Sequence, residues 1–421
     1  MVRGRNLAKS IAVLIAVLFP TILTAQSDQQ TSTGIRDRDR ALAGARELQN
    51  EMQKSNFHNG PWYLSTRLQL SDIGFEDEFF VPTSDHGAGL AFSVGMPTRL
   101  YYVPHKKVVF SGSFLPGYSF FNPKSSKDRG QFDYMARGGV SFLFNHLFLD
   151  FYGQRSDQLR PRIGDVNALA TIKSDEVGMS GELKWSSRTS LLFSNRFFDT
   201  SYPQDRYQPK LLPLVILDRD ERISRLQIVH KTFPRTSLAL AAEDGSFDFN
   251  YATYKTGRRH YIAPGFIYDA GRFSMKAEAG PSKLDFRDPL EHDFSGVIGQ
   301  LTMGSRAGRW GVSAGVERDT EFAIFLDNNY YIQDRAAAIV EYGATRRLKL
   351  RTSSNLERDT YETRVNGILR QDDLSFTTAG FRYSWRRLNG GIDVGYYQRE
   401  SNFDAAEEHG IRYILHLSFT P

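Results

Sequence analysis

From Trp62 onward the chain alternates apolar and polar residues with a period of two. Val177, Met179, Gly181, Leu183 and Trp185 interleave with Gly178, Ser180, Glu182 and Lys184. After Ser186-Ser187-Arg188 the rhythm resumes, with Thr189, Leu191 and Phe193 against Ser190 and Ser194. Leu348 and Leu350 oppose Lys349 and Arg351; Phe381, Tyr383 and Trp385 oppose Arg382 and Ser384. Successive side chains of a strand point to opposite faces, so each stretch is a strand with one greasy and one polar side.

Short connections such as 145–146, 186–187, 233–234, 270–271, 345–346 and 387–388 alternate with long polar ones at 122–130, 156–173, 201–220, 360–373 and 401–408. Hairpins with tight turns at one end and long loops at the other are the signature of outer-membrane barrels. The pattern predicts strands at 62–71, 85–102, 107–121, 131–144, 147–156, 174–185, 188–200, 221–232 and 236–249. It continues at 257–269, 272–286, 292–304, 309–319, 326–344, 347–359, 374–386, 389–401 and 409–419. That makes eighteen strands in a transmembrane, antiparallel, up-and-down all-β barrel. Sixteen is the alternative, because 257–269 and 326–344 alternate poorly. Residues 61–421 form this barrel domain.

A soluble sandwich is the competing architecture, and tryptophan separates the two. Trp62, Trp185, Trp310 and Trp385 all fall on the apolar face at the short-turn end. A core Trp has no reason to choose one end of every strand. A Trp in a membrane-interface girdle does, because its ring is apolar and its N–H seeks the headgroup layer. Closure also satisfies every backbone group, which lipid demands. Outer-membrane lipid is therefore the first expected partner.

The first 25 residues read as a secretory signal peptide. Arg3, Arg5 and Lys9 precede the apolar run Ile11–Leu23, and Ala25 offers a small residue for cleavage. The run is short for a spanning helix, with an uncleaved anchor as the alternative. Residues 26–60 are polar; Leu42, Ala45, Leu48 and Met52 recur at helical spacing, predicting a weak periplasmic helix, a linker or a plug.

Composition sharpens this picture. Hydrophobic residues are 40% of 421, and aromatics reach 13%. Mean hydropathy is −0.42, which argues against a helical membrane protein. Cysteine is absent, which removes disulfides and thiolate chemistry. The net charge is +5, and three positive charges lie in the signal, so the remainder is near +2 (5 minus 3). These charges are scattered among acids, which excludes a nucleic-acid partner.

By parity the inward cations are Arg67, Arg137, Arg155, Lys184, Arg196, Arg225, Lys276, Lys349, Arg351, Arg382, Arg399 and Arg412. The inward acids are Asp150, Glu182, Glu243, Glu278, Glu317, Glu341 and Asp393. Pairing across strands is one use for them. A pore is the other, since sixteen to eighteen strands enclose an aqueous channel and Arg/Lys linings favour anions. The candidate pore-lining residues are Arg67, Arg137, Arg196, Arg225, Lys349, Arg351, Arg382 and Arg399.

No cofactor, metal site or catalytic residue is expected. The nine histidines lie in no HExxH spacing, and no GxSxG is present. A barrel-wall hydrolase is the remote alternative. A closed structural or adhesive barrel is the nearer one, given acidic loops such as RDPLEHD (287–293) and NFDAAEEHG (402–410).

The final hairpins carry short motifs: Phe381-Arg-Tyr383-Ser-Trp385-Arg386, Gly395-Tyr-Tyr397-Gln-Arg399-Glu-Ser401, and Thr-Ser-Leu after turns at 189–191 and 236–238. In these the region from Trp185 onward resembles a bacterial (Gram-negative) outer-membrane β-barrel porin family associated with exopolysaccharide loci. The resemblance implies passage of small or polymeric anionic solutes, with a link to exopolysaccharide export. The last strand also looks like the segment by which outer-membrane barrels are recognised by the barrel-assembly machinery, with Gly410, Tyr413 and Phe419 as the insertion signal. Thr420 and Pro421 follow Phe419, where that pattern expects a terminal aromatic.

Overall fold

A computed structural model describes residues 44–76, 89–122, 129–160, 170–203, 214–324, 328–365, 368–402 and 408–421. The expected signal segment 1–25 lies outside them. One short helix, α1 (Ala45–Gln53), precedes the strands. The strands run β1 (Phe57–Asn59), β2 (Trp62–Thr66), β3 (Leu68–Glu76), β4 (Gly89–Gly95), β5 (Thr98–His105), β6 (Val108–Asn122) and β7 (Arg129–Leu143). Next come β8 (Leu147–Arg160), β9 (Ala170–Lys184), β10 (Thr189–Ser201), β11 (Arg219–Phe233), β12 (Thr236–Phe249), β13 (Gly257–Asp269) and β14 (Phe273–Phe286). The series ends with β15 (Phe294–Ala307), β16 (Trp310–Phe322), β17 (Tyr330–Gly343), β18 (Leu348–Val365), β19 (Ile368–Trp385), β20 (Leu388–Ser401) and β21 (Glu408–Phe419).

These segments form eighteen staves of one closed antiparallel barrel. β2 and β3 are one stave broken at Arg67, and β4 and β5 are one stave broken at Met96-Pro97. The breaks lie side by side, since the Arg67 N–H donates to the Pro97 carbonyl at 3.2 Å. Pro97 has no N–H for the ladder, so the strand must kink there. β6 spans both halves, pairing β5 near its start and β4 near its end. β1 is a three-residue ribbon hooked onto β2. Closure comes from β21 against β3, with Phe419 opposite Leu68 and Tyr413 opposite Phe75.

The apolar parity faces out. Phe110, Phe114, Leu238, Leu240, Ile262, Val297 and Val316 are all exposed on the outer wall. A water-soluble protein does not leave so large a contiguous apolar surface bare; acyl chains cover it here. No helix among the described residues is long and apolar enough to cross a membrane, and the crossing is made by strands.

The short connections repeat one local device. Ser186 Oγ accepts from the Arg188 and Thr189 N–H groups at 3.2 and 3.0 Å. Thr345 Oγ1 does the same for Arg347 and Leu348 at 3.1 and 2.9 Å. A hydroxyl that mimics a backbone acceptor closes the turn without a long loop.

One predicted loop is corrected. Residues 360–373 belong largely to β18 and β19, which extend as a hairpin joined through 366–367. Their polar alternation continues beyond the apolar band, so the lipid-facing rhythm stops while the ladder runs on. The predicted loops at 156–173 and 201–220 are likewise shorter than expected, because β8 and β9 run to Arg160 and from Ala170, and β11 starts at Arg219.

Candidate functional site

The barrel interior divides into two unlike halves. Along β11–β17 it is filled. At the long-loop end Phe247, Phe249, Tyr261, Leu284, Phe286, Phe294 and Ile298 point inward and pack with Ile324 and Tyr330. Phe322 meets Phe249 edge-on at 4.8 Å. Two single-turn helical segments, Leu214–Leu217 and Thr253–Lys255, fold into this cluster. Lys255 is fully buried and donates to the carbonyls of Ala323 and Asn328, tying the loop after β16 to the loop after β12.

Below that cluster lies a knot of ion pairs. Arg225 Nη2 donates to both Glu278 oxygens at 2.9 and 2.7 Å, and Nη1 reaches Glu243 at 3.4 Å. Arg259 bridges Glu243 at 2.8 Å and Asp319 at 3.4 Å. Arg335 bridges Glu357 at 3.0 Å and Glu317 at 3.7 Å. Only 1% of the Arg225 side chain is exposed. Carboxylates and guanidinium groups so removed from water persist only because each is multiply paired.

The other half, from β18 through β21 and on through β3–β9, presents small and polar side chains inward. Ser93, Ser119 and Asp133 form a chain, with Ser93 Oγ and Ser119 Oγ 3.1 Å apart. Arg137 lies 3.9 Å above the Tyr152 ring and 3.4 Å from Asp150, and the Tyr152 hydroxyl donates to Glu176 at 2.6 Å. The Tyr152 ring covers Gly178, where a Cβ would sit 2.6 Å from its Cζ and hydroxyl oxygen, so a larger residue there displaces the ring. Arg382 holds Asp393 at 2.6 and 2.8 Å, and His416 reaches the same carboxylate at 3.1 Å.

The short-turn mouth is crossed by α1. Glu51 pairs with Arg99 and lies 3.5 Å from the Tyr101 hydroxyl, both on the inward face of β5. At the other end of the helix, a Cβ on Gly44 would lie 3.3 Å from Glu182 Oε2 on β9. The helix thus runs between two staves that are not neighbours in the wall.

The predicted lining residues fall into three groups. Arg67, Arg137, Arg196, Arg225, Lys349, Arg351, Arg382 and Arg399 all take inward parity. Arg225 and Arg399 are buried, the latter on Asp372. Arg137 and Arg382 are part-buried in ion pairs. Lys349 is exposed and stands directly across from Arg382 in the ladder, with Arg351 two residues above it. Arg155 is a correction. It is five residues from inward-facing Asp150 on β8, hence on the outer wall, where it pairs with Asp175 at 3.6 Å. Trp62, Trp185, Trp310 and Trp385 stand outward at the short-turn end, 47–80% exposed. Trp62 stacks on Tyr102, and Trp310 meets Tyr342 in a tilted contact. Gly410, Tyr413 and Phe419 lie in the closing strand, Tyr413 and Phe419 outward.

Sequence reasoning did not select Arg259, Arg335, Asp319 or Glu357. The first two sit on β13 and β17, where inward Tyr261, Ala263 and Ala337 are as apolar as the outward residues. Outside the membrane span, burial pushes the Asp218 carboxyl above its ordinary value, although it accepts the Tyr202 N–H at 2.6 Å.

No family model and no curated protein matches the chain. Solved structures do. Pseudomonas aeruginosa OpdK with vanillate is similar at a TM-score of 0.50 and 11% identity, covering 85% of this chain and 98% of that one. A BenF-like porin from Pseudomonas fluorescens gives 0.49 and 12%, covering 85% and 99%. Pseudomonas aeruginosa OccK2 (OpdF) in complex with glucuronate gives 0.49 and 12%, covering 85% and 98%. The likeness is one of fold. The protein is a closed eighteen-stave antiparallel β-barrel, a fold it shares with these outer-membrane porins.

Proposed function

We propose that the chain is an outer-membrane channel for small anionic solutes, passing through the polar half of the lumen. One observation carries this reading. Lys349 and Arg382, like charges, are cross-strand neighbours on the inward face beside Arg351. Like charges placed directly opposite destabilise a sheet, so a structural role alone does not account for the pair. Asp393 compensates Arg382, while Lys349 has no ion-pair partner among the described residues. An anion passing Lys349 supplies the missing counter-charge. The OpdK structure, similar in fold, was solved with vanillate.

A small solute suits the geometry better than a polymer. The packed half and the crossing helix leave only part of the cross-section to water. The exopolysaccharide link implied by the family resemblance is therefore the narrower version of this proposal. Swelling of proteoliposomes in small carboxylates, compared with neutral sugars of equal size, tests it. Faster entry of the carboxylates supports the reading; equal entry, or none, contradicts it. The competing reading is a closed barrel, favoured by α1 across the mouth; it predicts no swelling in any solute.

A further inference from the structure

Charge is distributed unequally between the two ends of the outer wall. Eight short connections span 106–107, 144–146, 185–188, 234–235, 270–272, 308–309, 344–347 and 386–387. Seven of the eight carry Arg or Lys, three of them a doublet, and none carries Asp or Glu. All of these cations are exposed, and none has an ion-pair partner among the described residues. At the opposite end, acids stand beside outward cations: Arg358 holds Asp373 at 2.7 Å, and Arg318 lies 3.3 Å from Asp334, while Arg222 rests 5.1 Å from the Phe197 ring.

Two contacts show which way the short-connection crown faces. The Arg386 guanidinium lies 5.8 Å from the Trp385 ring, and the Lys107 ammonium 6.0 Å from the Phe144 ring. Both rings are outward-facing and exposed, so these cations rest on the outer wall at the edge of the apolar band, not in the lumen. Backbone conformation adds a second argument. Arg386 has φ 53°, the left-handed region that favours glycine. Two sister turns put glycine there, at Gly271 and Gly308, and place Arg next. The 386–387 turn gives up that ease and keeps two arginines.

We infer that the short-connection rim is an anionic-phospholipid binding surface, its Arg and Lys side chains seated on phosphodiester headgroups of the facing leaflet. A guanidinium forks onto a phosphate oxygen pair, and an adjacent aromatic ring sits at the same depth. Arg318 and Arg358 at the far end have no such appetite, because each is already paired with a carboxylate. The inference needs the barrel to span a membrane but not to conduct, so a closed barrel retains the same lipid preference.

The test uses the full barrel released from mixed vesicles of phosphatidylcholine and phosphatidylglycerol, with retained lipid counted by native mass spectrometry. The wild type retains phosphatidylglycerol severalfold over its share in the vesicle. R346Q/R347Q/R386Q/R387Q loses most of that enrichment, while R318Q/R358Q keeps it. A second set, R188Q/R235Q/R272Q/R309Q, gives the same loss by another route should the first fold poorly, as judged by heat-modifiable gel mobility. Retention in the same ratio as the vesicle overturns the inference. So does undiminished enrichment in both neutralised sets, or a neutralised set that shifts ion selectivity in an uncharged bilayer without altering retained lipid; the latter assigns the crown to the lumen.

Discussion

The two halves of the barrel interior solve the same problem in opposite ways. Each must place a polar strand face somewhere other than lipid. Along β11–β17 the chain removes water and must then cancel every charge, as Arg225, Arg259 and Arg335 do with five carboxylates, Glu243, Glu278, Asp319, Glu317 and Glu357. Along β3–β9 and β18–β21 much of the face is Ser, Gly and Tyr; there Asp372 is sealed between Arg370 and Arg399 toward the long-loop end, while exposed Lys349 near the short turns has no ion pair among the described residues. The lesson is that an inward charge does not identify a pore residue. Solvent exposure must be read as well: Arg225 and Lys349 share inward parity and positive charge, yet one is buried and the other exposed.

The largest effect that can break this comparison comes from removing a sealed cation. Arg225→Met leaves Glu243 and Glu278 short of a partner and costs about 3–5 kcal/mol, read as the urea midpoint of the barrel in vesicles. Arg137→Met in the polar half, where the guanidinium is more than a third exposed, costs about 1 kcal/mol. Equal losses for the two would erase the distinction between the halves. Next comes the inner apolar cluster. Phe249→Ala opens a hole among Phe322, Arg219 and Phe247 and costs about 3 kcal/mol, with a rise in open-channel noise as the infolded segments loosen.

A smaller effect probes the mouth. Glu51→Gln weakens the tie of α1 to Arg99 and costs on the order of 1 kcal/mol, while conductance rises as the helix disengages. An unchanged conductance would place the helix outside the conducting path. The smallest effect is a pH dependence at the long-loop end. Asp218 has a folded-state pKa above its unfolded one, so the folded state holds the proton more tightly. Its stabilising contribution is full below the unfolded value and is lost as pH rises through the folded value. Asp218→Asn keeps an acceptor for the Tyr202 N–H and flattens that acid window in a thermal melt.

Much of the fold was legible because lipid enforces a strict rhythm. Where Val297, Gly299, Leu301 and Met303 oppose Gln300 and Thr302, one face alone is apolar and the stave is plain. The rhythm is weakest where both faces are apolar, as on β13, since the inward cluster has the same chemistry as lipid; the strand expected at 257–269 is nonetheless there, at Gly257–Asp269. Legibility failed on β18 and β19, whose polar ends beyond the membrane look like loop. The site was legible in part. Parity placed Lys349, Arg351 and Arg382 inward but gave no account of what fills the space before them. Burial depends on segments such as Leu214–Leu217 and Thr253–Lys255, which come from loops that carry no period. The helix was visible as spacing, but its contact with Arg99 was not, because nothing local to Glu51 names a partner on β5.

Ion selectivity measures most directly the proposed cation-lined passage through the polar half. A single barrel in a planar bilayer of uncharged lipid, under a salt gradient, is expected to show steps of conductance with a reversal potential on the anion side. Lys349→Glu is expected to move that potential toward the cation side without altering heat-modifiable mobility. A silent barrel, or a cation-selective one that Lys349→Glu leaves unchanged, would contradict it.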